Sequence, residues 1–323
     1  MKVSVVIPCH NEENIAKSID SVLSCEYDDV EIIVVDDDST DRTPEICKPY
    51  LDRCSIKYLR RNERGGPAKA LNDGAKAASG SIIAILAADS LAPRDWIRKA
   101  AEHFLSDENV IAVGGPLKAS TKTYWALCGE KLDQLLLGPE LTLSSLHGTN
   151  MFVRSDVLQA LGFFNDSLSV GEDLDLSLRL CSYSKRAGGR IVFDRHMVVS
   201  THYPDTLSNI AKRHFWWGEG RTRVLLRSKI WKMNAWLRVL YVPSIIGLAA
   251  AAFLFMNLWL VAGVFAVSLA GTIAAPMLVL ASRLVMKSNR QQVNISEFLG
   301  LAVLAYVRVL SGSVGSLWAL FRR

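Results

Sequence analysis

The sequence predicts an α/β domain with a mostly parallel central sheet flanked by helices, followed by C-terminal transmembrane helices. Three observations carry this. Over the first quarter of the chain, continuous apolar, β-branched runs alternate with amphipathic stretches, as strands buried on both faces of a parallel sheet require. Polar and acidic clusters follow those runs. No charged residue occurs from 239 to 282, about 44 positions, close to twice the ~20 residues that one helix needs to cross a bilayer.

In order, Val3 to Ile7 and Ile32 to Val35 read as strands, with a capped amphipathic helix over Asn11 to Ser24 between them. Ser55 to Leu59 and Ser81 to Leu86 repeat the strand pattern; Thr43 to Tyr50 and Ala68 to Ala78 repeat the helical one. Such alternation implies right-handed crossovers within one sheet. From Val110 to Arg195 the pattern breaks into short segments. Asp205 to Arg238, rich in Trp, Arg and Lys, has the composition of an interfacial helix pair. Arg238 precedes the uncharged run, and Arg283, Lys287 and Arg290 follow it, so a helical hairpin with both flanks cytoplasmic is expected. Phe298 to Leu320, interrupted by Arg308, either crosses the membrane or lies in its interface. The expected divisions are 1–205, 206–238, 239–282 and 283–323.

Half of the 323 residues are apolar, and the net charge of +5 is spread without a long basic run. That suits an anionic lipid surface and argues against nucleic acid as a partner. Six cysteines without a C-x-x-C point to a reducing compartment. Met1 to Pro8 lacks the basic lead and length of a signal peptide, so a cytoplasmic domain is expected to begin there. Together these features predict a multi-pass protein of the cell membrane with its soluble domain in the cytoplasm.

In parallel sheets, ligands bind beyond the carboxyl ends of the strands. Pro8-Cys9-His10-Asn11-Glu12, Asp36-Asp37-Asp38-Ser39-Thr40-Asp41 and Ala87-Ala88-Asp89-Ser90 all fall there. Asp37 can accept the imide N–H of a uracil, or pair with another base or a ribose, while Asp38 and Asp41 serve mainly as turn and helix caps. Between Arg60 and Lys69, two glycines enter a helix with cations on either side, a setting for phosphate oxygens. Asp89 emerges where a very apolar strand ends, and one carboxylate with diphosphate oxygens and water makes a normal Mg²⁺ or Mn²⁺ shell. Gly171-Glu172-Asp173-Leu174-Asp175 opens a helix with three acids, more than capping requires, and a carboxylate there can act as general base. His202, after the strand-like Met197 to Thr201, is a candidate metal ligand.

These segments, taken in order with Ala70-Leu71-Asn72-Asp73-Gly74 and Gly148-Thr149-Asn150, resemble the signatures of family 2 glycosyltransferases with the GT-A fold, over roughly residues 3 to 220. The resemblance implies an inverting transferase that takes a sugar from a UDP- or GDP-sugar. Pro8, Asn11 or Glu12 and Asp37 would bind the nucleotide, with Cys9, Lys69 and Ala88 in the same donor site. Asp89 would hold Mg²⁺ or Mn²⁺, completed by His202, and Asp173, beside Glu172, would be the base. Asn150, Arg213, His214 and Trp216 are candidate contacts to acceptor or phosphate.

Two departures stand out. The family's D-x-D reads Ala87-Ala88-Asp89, and Asp38 stands where Gly is common. Lys212-Arg213-His214-Phe215-Trp216 keeps the Trp and one Arg of the processive synthases' Q-x-x-R-W but lacks the Gln and the Arg beside the Trp, which favours single addition. A lipid-linked or cell-surface glycan is the expected acceptor. Transfer to a polyprenyl phosphate and a non-catalytic donor-binding protein are the alternatives.

Overall fold

The computed structural model describes residues 1–53, 55–136, 146–227 and 295–321, which fall into two compact units. One unit takes in Met1–Thr121 and Leu137–His202; the other takes in Lys122–Leu136 and Tyr203–Arg323. The expected hairpin at 239–282 lies outside the described residues.

The first unit begins with β1 (Val3–Cys9), α1 (Ile15–Leu23), β2 (Val30–Asp36), α2 (Thr43–Asp52), β3 (Lys57–Arg60), α3 (Pro67–Ala77) and β4 (Ile82–Ile85). The four strands are parallel, in the order β3-β2-β1-β4. After α4 (Trp96–Ser106) come β5 (Val110–Gly114) and β6 (Leu117–Ala119). Then follow β7 (Met151–Arg154), α6 (Ser155–Ala160), α7 (Glu172–Ala187), β8 (Arg190–Phe193) and β9 (Val199–Thr201), with α5 (Tyr124–Leu136) lying in the other unit. β7 enters the sheet antiparallel between β4 and β5, and β8 continues it parallel to β5. The irregular stretch of the sequence thus supplies three more strands of a seven-stranded sheet, while β6 and β9 form a separate parallel pair.

Burial explains the strands. Val5, Val6, Ile7, Ile33, Val34, Val35, Ile82 and Ile83 are all at most 1 % exposed, so both faces of the central strands are covered. On one face Val6, Ile33, Val35 and Ile85 pack with Ala70 and Leu71 of α3 and with Leu176 and Leu180 of α7. Each fully buried aliphatic side chain of this kind contributes roughly 1.5–3 kcal/mol.

The second unit is helical: α5, α8 (Leu207–Arg227) and α9 (Ile295–Phe321). Cys128 and Leu132 of α5 and Ile210 of α8 pack with Leu301 and Leu304 of α9. α8 and α9 approach so closely that a Cβ on Gly218 would run into the carbonyl of Gly312, and one on Gly315 into the carbonyl of Phe215. Ser316 donates to the carbonyls of Gly218 at 3.2 Å and Gly312 at 2.8 Å. Small residues at a helix crossing with hydroxyls bridging backbones are the packing mode of helices in lipid. Leu299–Ala319 within α9 is long and apolar enough to cross a membrane. Its interrupting charge, Arg308, is answered by Asp133 at 2.6 Å, and Asp133 also accepts the Tyr203 hydroxyl at 3.0 Å. α8 covers 207–227 of the stretch expected to form an interfacial pair; residues 228–238 lie outside the described residues.

Candidate active site

Strand register gathers the polar clusters on one edge of the first unit. Cys9 at the end of β1 pairs with Asp36 at the end of β2, Asp36 with Arg60 at the end of β3, and Val6 with Ile85 at the end of β4. Because β7 runs the other way, its first residue, Met151, faces both Ile85 and Gly114. The loop before it, Gly148 to Asn150, falls on the same edge.

The three consecutive aspartates do different work. Asp36 is fully buried and accepts the Ser39 N–H at 2.8 Å and the Tyr58 hydroxyl. Asp37 is 4 % exposed; its oxygens accept the N–H groups of Gly65 at 2.8 Å and Gly66 at 2.7 Å, and Arg61 Nε lies 2.8 Å away as an ion-pair partner. The carboxylate expected to face a nucleobase is therefore already engaged in pinning the turn that opens α3. Arg61 also pairs with Asp73, and the Arg61 guanidinium and the Lys69 stem flank Gly65, so two cations stand at that helix start. Asp38 sits at a φ of 63°.

Other predicted donor contacts are partly consumed by the fold. Asn11 Oδ1 accepts the Thr40 N–H at 2.8 Å, and Glu12 Oε1 accepts the Asn14 N–H at 3.0 Å, so both side chains stitch the loop after β1. Pro8 is half-buried beside Cys9, whose thiol is sealed in the core and pushed up by burial; Cys9 has only its backbone to offer. Ala88 is buried, and its carbonyl accepts the Ser18 hydroxyl at 2.6 Å.

Asp89 stands half-buried in the turn after β4. Its Oδ1 lies 3.1 Å from Ser90 Oγ and 3.5 Å from Thr201 Oγ1, and the two hydroxyls are 2.8 Å apart. Leu91 and Ser200 exchange backbone hydrogen bonds at 2.7 and 3.1 Å, which ties this turn to β9. His202, exposed, is the next residue after β9. Among the described residues no three His, Cys, Asp or Glu side chains converge. One hard carboxylate at a strand end fits a Mg²⁺ or Mn²⁺ that draws most of its ligands from diphosphate and water, rather than a cation caged by protein alone.

α7 begins after Gly171, whose φ of 90° turns the chain into the helix in a conformation L side chains rarely adopt. Its three acids divide the labour. Asp175 is bound by Arg179 at 2.7 Å, and Arg179 donates to the carbonyls of Leu161 and Phe163 at 2.8 Å, which anchors the helix. Asp173 accepts the Leu174 N–H at 2.7 Å and the Gly148 N–H at 3.2 Å, so it faces the loop before β7. Burial, and then the neighbouring Asp173, push Glu172 up to about 7. Glu172 is therefore partly protonated near neutrality.

Asn150 has its partners within the fold. It is fully buried, accepts the Trp96 indole N–H at 2.9 Å and donates to the carbonyls of Met197 at 2.7 Å and Pro116 at 3.2 Å. Its amide is engaged by these three partners. Trp96, Thr201 and Tyr58 are the supporting residues that sequence reasoning missed; their signal is long-range pairing, which no local pattern carries.

Arg213, His214 and Trp216 lie on α8, in the helical unit. Arg213 stacks over Trp217 at 4.3 Å and Tyr203 at 5.4 Å, and Trp216 is 48 % exposed. Burial, aided by Arg308, pushes the His214 imidazole down to about 3. It is neutral at physiological pH and brings no positive charge to a phosphate.

Residues 4–161 match the family description "Glycosyl transferase family 2". The chain is 28% identical over 255 residues to glycosyltransferase AglE of Haloferax volcanii, covering 75% of this chain and 82% of AglE. It is 28% identical over 237 residues to the poly-β-1,6-N-acetyl-D-glucosamine synthase of Staphylococcus aureus, covering 70% of this chain and 56% of the synthase, so it spans about half the length of that relative. Among solved structures it resembles the mannosyltransferase PcManGT from Pyrobaculum calidifontis in complex with GDP-Man and Mn²⁺, with a TM-score of 0.65, 21% identity and coverage of 98% and 87% of the two chains. It also resembles S. aureus TarS 1-349 in complex with UDP, with a TM-score of 0.52, 17% identity and coverage of 94% and 90%. Sheet order and the sequence match lead to one assignment: residues 4–161 form a glycosyl transferase family 2 domain, and the protein is a glycosyltransferase with the GT-A fold.

Proposed function

We propose that this glycosyltransferase is membrane-anchored, metal-dependent and inverting, and that it moves a hexose from a UDP- or GDP-sugar to a hydroxyl of a lipid-linked or cell-surface glycan. The observation that carries the reading is the Glu172–Asp173 pair at the start of α7, held against Gly148 on the edge that also bears Asp37 and Asp89. An acceptor hydroxyl there attacks the anomeric carbon while Asp173 takes its proton. The bond to the diphosphate breaks, and the nucleoside diphosphate leaves with that electron pair. Arg61, Lys69 and the start of α3 favour the phosphates, Asp37 holds their turn, and Pro8 and the backbone of Cys9 and Ala88 line the donor edge. Asp89 with His202 would hold Mg²⁺ or Mn²⁺, which offsets charge on the departing diphosphate. Attachment to a cytoplasmic membrane face is supported by Leu299–Ala319 of α9 and by the basic flanks of the uncharged stretch 239–282. In that setting Trp216 is an interface anchor.

The test is release of nucleoside diphosphate by the full chain in detergent, with Mg²⁺ or Mn²⁺, a panel of nucleotide sugars, and a membrane-lipid extract. One donor is expected to turn over, with activity lost in Asp89→Ala. Asp173→Asn is expected to lower transfer by at least about 10²-fold while sparing donor binding. Undiminished transfer by Asp173→Asn would instead indicate an acceptor that is already an anion, such as a polyprenyl phosphate, which needs no base.

A further inference from the structure

Asp89 has an unusual setting for a carboxylate expected to meet a cation. Two buried hydroxyls, Ser90 at 0% exposure and Thr201 at 5%, converge on one of its oxygens. Each hydroxyl has one proton, and either order of donation through the pair ends on Oδ1. Oδ2 has no hydrogen bond or ion pair among the described residues. The backbone exchange between Leu91 and Ser200 fixes Thr201 relative to the turn, so the hydroxyls are themselves held in place. Ala87, two residues before Asp89, has no donor atom to add.

We propose that Ser90 and Thr201 are positioning residues for the donor's cation, committing Asp89 to a single cation-facing oxygen, so that this chain takes up divalent cation and nucleoside diphosphate together. The inference rests on the metal-dependent function proposed above. One carboxylate oxygen and one imidazole supply two ligands, whereas Mg²⁺ and Mn²⁺ favour about six, chiefly oxygens. The diphosphate is the natural source of the rest. Without it the site holds the cation poorly, and by linkage each ligand tightens the other equally. Removing a group that orients a metal ligand typically lowers metal affinity by about 10–100-fold.

Mn²⁺ binding to the full chain in detergent, followed by electron paramagnetic resonance with and without UDP or GDP, tests this without any turnover. Wild type is expected to bind Mn²⁺ at least about tenfold more tightly with the nucleotide present. Thr201→Val and Ser90→Ala are expected to lose about tenfold of that affinity, and Thr201→Ser to retain it. Ala87→Asp, which adds a carboxylate, is expected to raise nucleotide-free affinity, and it keeps the test open should the hydroxyl variants fold poorly. Wild-type Mn²⁺ affinity in both hydroxyl variants with unchanged melting, equal affinity with and without nucleotide, or no gain in Ala87→Asp would each overturn the inference. Wild-type transfer that persists in EDTA would sink the metal dependence itself. Metal-dependent transfer with unaltered Mn²⁺ affinity in both hydroxyl variants would sink only the positioning role.

Discussion

The sheet unit and the helical unit bury different things. In the first, β1, β2 and β4 hide aliphatic side chains on both faces, and the polar residues that are buried, such as Asp36 and Asn150, are satisfied by specific partners. In the second, α8 and α9 bring backbones together at Gly218, Gly312 and Gly315, and charge enters the interior as the Asp133–Arg308 and Glu219–Arg223 pairs. Removal of apolar surface from water drives the first kind of packing. Close fit and hydrogen bonding between helices suit lipid, where apolar surface has no water to escape. The candidate carboxylates stand at the edge of the first kind of packing, and the apolar helix Leu299–Ala319 takes part in the second.

The comparison breaks most sharply at the helix crossing. Gly218→Leu or Gly315→Leu should force α8 and α9 apart at a cost of about 3 kcal/mol or more. Hydrogen exchange is expected to show lost protection in both helices; unchanged protection would mean that the glycines do not set the crossing. Next in size is Asn150→Ala, which orphans the Trp96 indole and two carbonyls in the sheet unit. A loss of about 3 kcal/mol is expected by thermal or chemical denaturation, from roughly 1–3 kcal/mol for each polar group left unpaired. A folded, equally stable variant with a raised acceptor KM would restore Asn150 to the acceptor site.

The smallest effect is pH-dependent. Because Glu172 is raised to about 7, the folded chain holds a proton that the unfolded chain has already released, so this group's contribution falls as pH rises from about 4.5 through 7. Glu172→Gln should therefore be more stable than wild type at pH 8, by on the order of 1 kcal/mol, with the advantage shrinking toward pH 5. An advantage that is flat across that range would remove the raised carboxyl from the account.

Much of the sheet was legible because its signal is local. The runs at Val3 to Ile7 and Ile32 to Val35 can be little else than buried strands, and in the structure they lengthen by Pro8 and Cys9 and by Val30, Glu31 and Asp36. β7 was not legible: four residues inserted antiparallel between β4 and β5 are specified by partners far along the chain. The site divides in the same way. Asp89 and the Glu172–Asp173 pair stand out as candidates in the sequence from acids at the end of a strand and the start of a helix. Asp37 and Asn150 were placed at the right edge, but their duties depend on Gly65, Gly66 and Trp96, and a polar residue at a strand end looks the same whether it awaits a substrate or a neighbour.

α5 carries a consequence for how such a chain is inherited. Its residues 124–136 are encoded in the midst of the sheet unit, yet Cys128 and Leu132 complete the core around Leu301 and Leu304 of α9. A fragment ending near residue 205 would retain α5 and lose α9, leaving that face bare to water. No single cut or gene fusion can therefore separate the two units cleanly, and proteolytic shedding would yield a sticky product rather than a soluble enzyme. The two units must be gained, lost and tuned as one heritable piece.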